Sequence, residues 1–156
     1  MDLLKYRNEK DKKNEELIKK VLDEQSAQRY RFGSIAEMTL IRELMLDKIM
    51  KGKLKSQEEL QKYDTIKDSL KEYFYVEKME QIEAGDYVRY LTFNKNDEFE
   101  LKKGGFFVNI KDGFIVLKNS EAVDKKSFWK ISDKTPLFCK LDDNDKIVLV
   151  LMEKIT

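Results

Sequence analysis

Histidine is absent from this 156-residue chain, and cysteine and proline occur only once each. Without histidine, Ser-His-Asp triads, Cys-His pairs and histidine-based metal sites are excluded. A zinc site is excluded as well, because Cys139 has no second thiol to join it. A lone cysteine forms no internal disulfide, which is typical of proteins from a reducing compartment. We therefore expect a protein that is not an enzyme and holds no metal or cofactor.

The chain also lacks an excess of charge and long apolar runs. Its 31 basic and 30 acidic residues give a net charge of +1. Nucleic-acid binders usually carry a basic face, so this balance argues against bulk nucleic-acid binding without excluding a local patch. No apolar run approaches the roughly 18–20 residues of a membrane span or resembles a signal peptide. We expect a soluble intracellular protein, cytoplasmic or within a virion, without membrane contact.

A charged arm is predicted over residues 1–33. Its apolar stripe, from Leu17 to Leu22, follows helical spacing but is narrow. Such a stripe cannot hold a helix in isolation, because charged pairs on its surface add only about 0.2–0.5 kcal/mol each. The arm therefore needs a partner surface, within the chain or on another molecule.

Two capped helices are predicted to follow the arm and to form a helical hairpin over residues 34–84. Ser34 with Glu37 has the spacing of a capping box, and the apolar period continues to a stop at Gly52. Ser56 repeats the cap, and a second apolar stripe continues to Ala84. The short connection favours antiparallel neighbours that share one core.

From Gly85 the apolar period changes from 3.6 to 2, which predicts a β domain over residues 85–156. The expected fold class is therefore α+β, with a small antiparallel SH3-like barrel as first choice and an OB-like barrel as second. The predicted strands are Tyr87–Phe93, Glu98–Lys102, Phe106–Ile110, Phe114–Leu117, Ser127–Ile131, Leu137–Leu141 and Ile147–Met152.

The connections between these strands carry turn residues. Asp112 and Gly113 predict a tight hairpin, and Gly104 with Gly105 predicts a barrel corner or bulge. The acidic residues 142–145 are interpreted as a hairpin turn. The last strand is apolar on both sides, so we expect it to dock the barrel onto the helical hairpin.

Ten aromatic residues lie in the predicted barrel, more than a barrel of this size can bury. The surplus rings are expected to face the helices, a protein partner, or a stacked base or methyl-lysine. The candidate partner-binding residues are Tyr30, Phe32, Arg89, Tyr90, Phe107 and Trp129. The candidate nucleic-acid-binding residues are Arg89, Lys102, Lys103 and Trp129.

Four segments resemble a β cassette of structural and accessory proteins of large double-stranded DNA viruses. They are GDYVRYL at 85–91, FELKKGGFF at 99–107, FIVLKN at 114–119 and FWKI at 128–131. The resemblance covers residues 85–140 at most, and its motifs are barrel corners and core positions without catalytic residues. It implies a virus-encoded, virion-associated protein whose barrel makes assembly contacts.

The expected function is that of a non-enzymatic assembly or adaptor protein that contacts other proteins of a larger assembly, including copies of itself. A capsid-associated role would fit the viral resemblance. The alternative is a nucleic-acid-binding barrel of the Tudor, KOW or OB type, acting in transcription or genome packaging.

Overall fold

The computed structural model describes residues 29–119 and 127–155. Most of the predicted arm over residues 1–33, including the stripe from Leu17 to Leu22, lies outside the described residues. The first described helix, α1 (Ile35–Met50), begins after Ser34, whose hydroxyl accepts a hydrogen bond from the Glu37 amide at 3.1 Å. Gly52 follows it with φ = 78°, a left-handed conformation that favours glycine. Both predicted ends of α1 are confirmed.

The second helix, α2 (Gln57–Ser69), also begins at its predicted cap. The Ser56 hydroxyl accepts a hydrogen bond from the Glu59 amide at 3.2 Å. The Tyr63 hydroxyl of α2 donates to Asp47 of α1 at 2.6 Å, so the two helices are in contact.

The predicted continuation of α2 to Ala84 is wrong. The chain instead forms a short strand, β1 (Tyr73–Tyr75), and a 3-10 helix (Met79–Gln81). Three consecutive aromatic residues suit a strand, and pairing in the sheet buries Phe74 completely. Tertiary pairing has overridden the helical spacing of the apolar residues in this segment.

Six strands form one antiparallel sheet in the order β1-β6-β2-β3-β4-β5. Strand β1 comes before Gly85 in the chain and pairs with β6, the last strand. The strands after β1 are β2 (Tyr87–Phe93), β3 (Phe99–Lys111), β4 (Phe114–Lys118), β5 (Phe128–Ser132) and β6 (Leu137–Lys140). Two segments predicted as separate strands are thus joined in β3. The α+β class is confirmed, whereas the sheet is not closed and the SH3-like barrel is not confirmed.

The predicted turn at Asp112 and Gly113 and the predicted bulge at Gly104 and Gly105 are confirmed. Asp112 and Gly113, between β3 and β4, have φ values of 55° and 78°, as a tight hairpin turn with the sheet's twist requires. The register of β2 against β3 shifts opposite the glycine pair. A Cβ atom on Gly104 would lie 1.3 Å from the carbonyl oxygen of Val88, so only glycine permits this approach of the two strands.

The C-terminal segment is a helix, α3 (Asp143–Ile155), and the predicted last strand is wrong. Consequently α3, rather than a strand, packs on the sheet. Val148 and Leu149 are buried in the core, while Ile147 and Val150 are about half exposed. A continuous apolar run has no period of its own, and in α3 only one side of it is covered.

The acidic residues 142–145 start α3 and do not form the predicted hairpin turn. The Asp142 carboxylate accepts a hydrogen bond from the Asp145 amide at 2.7 Å, and the Asp145 carboxylate accepts one from the Asp142 amide at 2.9 Å. This reciprocal pair satisfies amides that the first helical turn leaves unpaired. Carboxylates are also favoured beside the positive end of the helix dipole.

Both faces of the sheet carry a core. On the inner face, which bears Cys139 and Leu117, the core includes residues from α1 and α3. On the outer face, which bears Phe138 and Phe99, residues of α1 and α2 cover β1, β6, β2 and the start of β3. The second core does not include the outer-face residues of β4 and β5, nor those of β3 that follow the glycine pair.

Candidate functional site

A patch of alternating aromatic and basic side chains lies on the outer face of β3, β4 and β5. Side chains alternate between the two faces along a strand, and the inner-face residues Phe107, Ile115, Leu117, Trp129 and Ile131 are in or packed against the core. Their neighbours therefore lie on the outer face. We call this set the outer patch: Phe106, Phe114, Val116, Lys118, Phe128 and Lys130.

The strand register arranges the outer patch in rows. Lys118 on β4 is flanked directly by Phe106 on β3 and by Phe128 on β5. In the next row, Val116 is paired with Lys130. Residues directly opposite each other in an antiparallel pair have Cβ atoms about 4.5–5.5 Å apart, so each lysine stands among apolar side chains.

The apolar side chains of the outer patch are accessible. Phe128 is 56% exposed and Phe114 is 37% exposed. The Lys130 ammonium lies 4.4 Å from the centre of the Phe114 ring, within the range of a cation–π contact. The Phe106 ring packs against Tyr87 at a centroid distance of 5.4 Å, which joins the outer patch to the second core.

Among the described residues, no carboxylate lies in the rows of the outer patch. The remaining outer-face positions in these rows hold Asn109, Lys111 and Ser132. The nearest described carboxylates along the chain, Asp112 and Asp133, lie in turns at one end of the strands. The outer patch thus combines apolar side chains with lysines that form no ion pair with a described carboxylate, an arrangement suited to an acidic partner that also carries apolar groups.

A second polar cluster, the Arg29 network, lies where the described chain begins. The Arg29 guanidinium donates to Asp145 through Nε at 2.8 Å and Nη2 at 2.9 Å, and to Asp86 through Nη1 at 2.7 Å. The Tyr30 hydroxyl also donates to Asp145, and the Gln81 side-chain amide donates to the Arg29 carbonyl oxygen at 3.3 Å. These contacts tie the end of the arm to α3 and to the sheet.

The protonation of the Arg29 network favours a structural role. Burial raises the pKa of the Asp145 carboxyl, but hydrogen bonds from Arg29 and Tyr30 lower it by more, and it lies below its ordinary value. Burial raises the pKa of Tyr30, and its bond to Asp145 raises it further. Burial alone would lower the pKa of Arg29, yet its two carboxylate partners raise it. One guanidinium thus binds two carboxylates, and the hydrogen bonds from Arg29 and Tyr30 favour the ionised form of Asp145.

Cys139 belongs to the inner core, as its position between two leucines predicts. It is fully buried, and burial raises the pKa of its thiol well above the usual range. A thiol in this environment stays protonated and is a poor nucleophile.

Four of the six predicted partner-binding residues lie in the inner core. Tyr30 and Phe32 pack beside α1, and Tyr90 and Phe107 fill the inner face of the sheet; all four are at most 9% exposed. Trp129 also lies on the inner face, partly buried, and its indole N–H donates to the Tyr90 hydroxyl at 3.2 Å. These five aromatic side chains contribute to the packing between the sheet and the helices on its inner face, and they leave little surface for a partner.

The structure does not gather the predicted nucleic-acid-binding residues on one surface. Arg89 is half-buried and donates through Nε to the Lys102 carbonyl oxygen at 3.2 Å. The Lys102 ammonium is engaged by Glu100 at 2.9 Å, while Lys103 is exposed. Trp129 contributes to the inner core.

Alternation predicted that one residue of each adjacent aromatic pair faces outward, but not which one. The surface members are Phe106 and Phe128, whereas Phe107 and Trp129 had been expected there. The sequence of Phe114–Lys118 indicates which face is covered. Ile115 and Leu117 are its more apolar residues and face the core, so Val116 between them lies on the outer face. Carrying that assignment across the register would have identified the outer patch.

Within residues 29–119 and 127–155, no three His, Cys, Asp or Glu side chains are placed to hold a metal ion. In the same residues, no helix is both long enough and apolar enough to cross a bilayer. No family model, no curated protein and no solved structure matches the chain.

Proposed function

We propose that this chain is a non-enzymatic assembly or adaptor protein, and that the outer patch is where it binds an acidic surface of another protein. The observation that carries the proposal is the pattern of the outer patch: exposed phenyl rings in register with lysines, without a carboxylate among them. Aromatic side chains in a desolvated centre supply most of the affinity of protein interfaces, and complementary charge supplies specificity.

The ionisable groups support a binding role over a catalytic one. In the Arg29 network one guanidinium binds both carboxylates, and the Cys139 thiol is buried. A catalytic acid or base needs a pKa near the working pH and access to substrate.

We further propose that β2 to β6 are a variant of the SH3-like barrel. Two observations support this: β6 returns to pair with β2 after the β2–β5 meander, and Trp129 of β5 reaches across to Tyr90 of β2. The viral resemblance of residues 85–140 supports the narrower proposal of a virion-associated component.

The test is affinity capture from a lysate of the source cells by matched variants of the chain. Phe128→Ser removes an exposed ring, and Lys118→Glu reverses a charge in the same row. Leu44→Ser on α1 is the control, because Leu44 is 58% exposed, close to the exposure of Phe128. Retained melting temperature verifies that each variant is folded.

We expect the wild type and Leu44→Ser to retain the same defined set of proteins after nuclease treatment, and Phe128→Ser and Lys118→Glu to lose it. Equal retention by all variants would show that the outer patch is not the binding site. Collapse of recovery on nuclease treatment would show that nucleic acid is the bridge or the ligand.

Single-stranded nucleic acid is the second candidate ligand, favoured by the exposed Phe128 and Phe114 rings beside lysines. Bases stack on such rings for about 1–3 kcal/mol each, while lysines contact the phosphates. The check is the binding of a fluorescent single-stranded oligonucleotide at increasing salt. A genuine nucleic-acid site gives a steep fall in affinity with salt, and absence of binding at low salt removes this candidate.

A further inference from the structure

Strand β5 is an edge of the sheet. Two hydrogen bonds to residues that flank β4 show which residues of β5 are bonded to β4. The Asn119 amide donates to the Ser127 carbonyl oxygen, and the Asp133 amide donates to the Gly113 carbonyl oxygen, both at 3.1 Å. In an antiparallel pair, bonded and non-bonded residues alternate along the strand. The odd-numbered residues of β5 therefore bond to β4, and the even-numbered ones direct their peptide groups away from the sheet.

The peptide groups of Phe128 and Lys130 have no hydrogen-bond partner within the described part of the chain. Ser132, the third even-numbered residue, accepts a bond from the Thr135 amide at 3.1 Å through its carbonyl oxygen. Unpaired peptide groups on an edge strand are a template for another strand.

The opposite edge of the sheet is blocked at Tyr73. The Tyr73 amide of β1 donates to the Leu70 carbonyl oxygen at 3.0 Å, and Arg42 from α1 donates to the Tyr73 carbonyl oxygen at 3.1 Å. Arg42 is 3% exposed, so α1 shields this edge from solvent. A buried guanidinium thus blocks one edge at Tyr73, whereas no described residue pairs with the peptide groups of Phe128 and Lys130 on the other edge, beside the outer patch.

We infer that β5 binds its partner by strand addition, taking an extended acidic segment of another protein along the Phe128–Ser132 edge. This inference rests on the proposed function, since it specifies how the outer patch is engaged. Main-chain hydrogen bonds to Phe128 and Lys130 supply affinity, and side-chain pairing supplies selectivity.

The side chains of β5 define the segment that fits. On the outer face, a residue of the added strand opposite Lys130 is a carboxylate, and the residue opposite Phe128 is aromatic or aliphatic. The alternate residues of the added strand face inward beside Trp129 and Ile131, both partly buried in the inner core, and are apolar. In the segment that fits, apolar residues that face inward therefore alternate with two outer-face residues, one acidic and one large and apolar.

Charge argues for this occupant over a second copy of the chain. An antiparallel pairing of β5 with its copy, centred on Lys130, would place two lysines directly opposite each other, which is destabilising. A lysine on an edge strand commonly discourages pairing between like strands. The same lysine attracts a strand that carries glutamate or aspartate.

The experiment uses a synthetic peptide, acetyl-Thr-Val-Glu-Val-Phe-Val-Glu-amide, with the full chain. In the free protein, amide hydrogen exchange followed by NMR should be fast at Phe128 and Lys130 and slow at Trp129 and Ile131. On peptide addition, the first two amides should become protected. Slow exchange at Phe128 and Lys130 before addition would overturn the inference, because the edge would already be occupied.

Variants separate the edge from the outer patch. Lys130→Pro removes the outward-facing N–H together with the lysine side chain, without removing a bond to β4. It is compared with Lys130→Ala, which removes the side chain and keeps the N–H. Lys130→Pro should bind the peptide about tenfold or more weakly than Lys130→Ala. Lys118→Glu keeps the edge but reverses a charge on β4, and should weaken peptide binding by a smaller factor. A peptide methylated on the amides that would bond to β5 should not bind.

The outcomes distinguish the two proposals. If Lys130→Pro binds the peptide as Lys130→Ala does while Lys118→Glu binds it less tightly than the wild type, strand addition is refuted and the outer patch remains the site. If Lys130→Pro and Lys118→Glu both bind as the wild type does, both proposals fail. Failure of the peptide to bind at millimolar concentration also refutes strand addition, whatever the capture experiment gives.

Discussion

Asp145→Asn should destabilise the protein strongly, because this carboxylate is the centre of the Arg29 network. It accepts bonds from Arg29 Nε and Nη2, from the Tyr30 hydroxyl and from the Asp142 amide. Its side chain is 3% exposed. Removing one partner of a buried ion pair costs about 3–5 kcal/mol, and the retained bond from Arg29 to Asp86 reduces the expected loss to about 2–4 kcal/mol.

The effect should depend on pH. The pKa of Asp145 is lower in the folded protein than its unfolded value of about 3.9, so its stabilisation is present above that value and is lost as the pH falls through the folded pKa. The wild type and Asp145→Asn should therefore differ most near neutral pH, and the difference should shrink as the pH falls below about 4.

Urea unfolding, followed by the fluorescence of the single tryptophan, measures both free energies. Asp143→Asn is the control, because Asp143 lies in the same helical turn but is exposed. It should cost no more than about 0.5–1 kcal/mol through the helix dipole. Equal losses for the two variants, or a difference that persists in acid, would refute the role assigned to the Arg29 network.

Three further predictions concern the folded state, and urea unfolding checks each of them. Val148→Asp should cost more than about 3 kcal/mol and Ile147→Asp less than about 1, because only Val148 is buried; equal losses would favour a strand covered on both faces. Gly105→Ala should cost about 1–3 kcal/mol, since its Cβ would lie 2.6 Å from the Trp129 ring, and an unchanged midpoint would contradict this packing. Arg42→Met should cost about 1–3 kcal/mol through two lost bonds to backbone carbonyls, and deuterium uptake at the β1 edge should rise; unchanged uptake would contradict its shielding role.

Local signals in the sequence predicted the elements whose ends are set by local chemistry. Ser34 and Ser56 start helices through their own hydroxyls, and the Asp112 and Gly113 turn needs only positive φ at neighbouring residues. These features depend on a few adjacent residues. They are therefore readable without the rest of the fold.

The segments that were misassigned depend on distant partners. Phe74 lies four residues after Leu70 and so continues the helical spacing of the apolar residues before it. Only pairing with β6 makes residues 73–75 a strand. The apolar run after Asp142 is compatible with either structure, and the reciprocal cap formed with Asp145 decides for the helix. That cap was visible in the sequence as closely spaced aspartates and was interpreted as a turn.

The site was harder to predict than the fold because it depends on which face of the sheet is covered. Phe107 and Trp129 are as aromatic as Phe106 and Phe128, so the patterns of β3 and β5 alone do not distinguish inside from outside. The pattern of β4 reaches them only through the register of the sheet. The choice follows from α1 and α3 covering the inner face of the sheet. The faces of β3 and β5 are therefore assigned by the packing of the whole protein.

The guanidinium of Arg42 at the β1 edge also limits how large an assembly can grow through this sheet. A sheet with two open edges can stack copies head to tail into a fibre, whereas a sheet that is blocked on one edge cannot. Under the proposed strand addition, each copy therefore offers only its β5 side to another strand. Head-to-tail growth of copies through this sheet is thereby prevented.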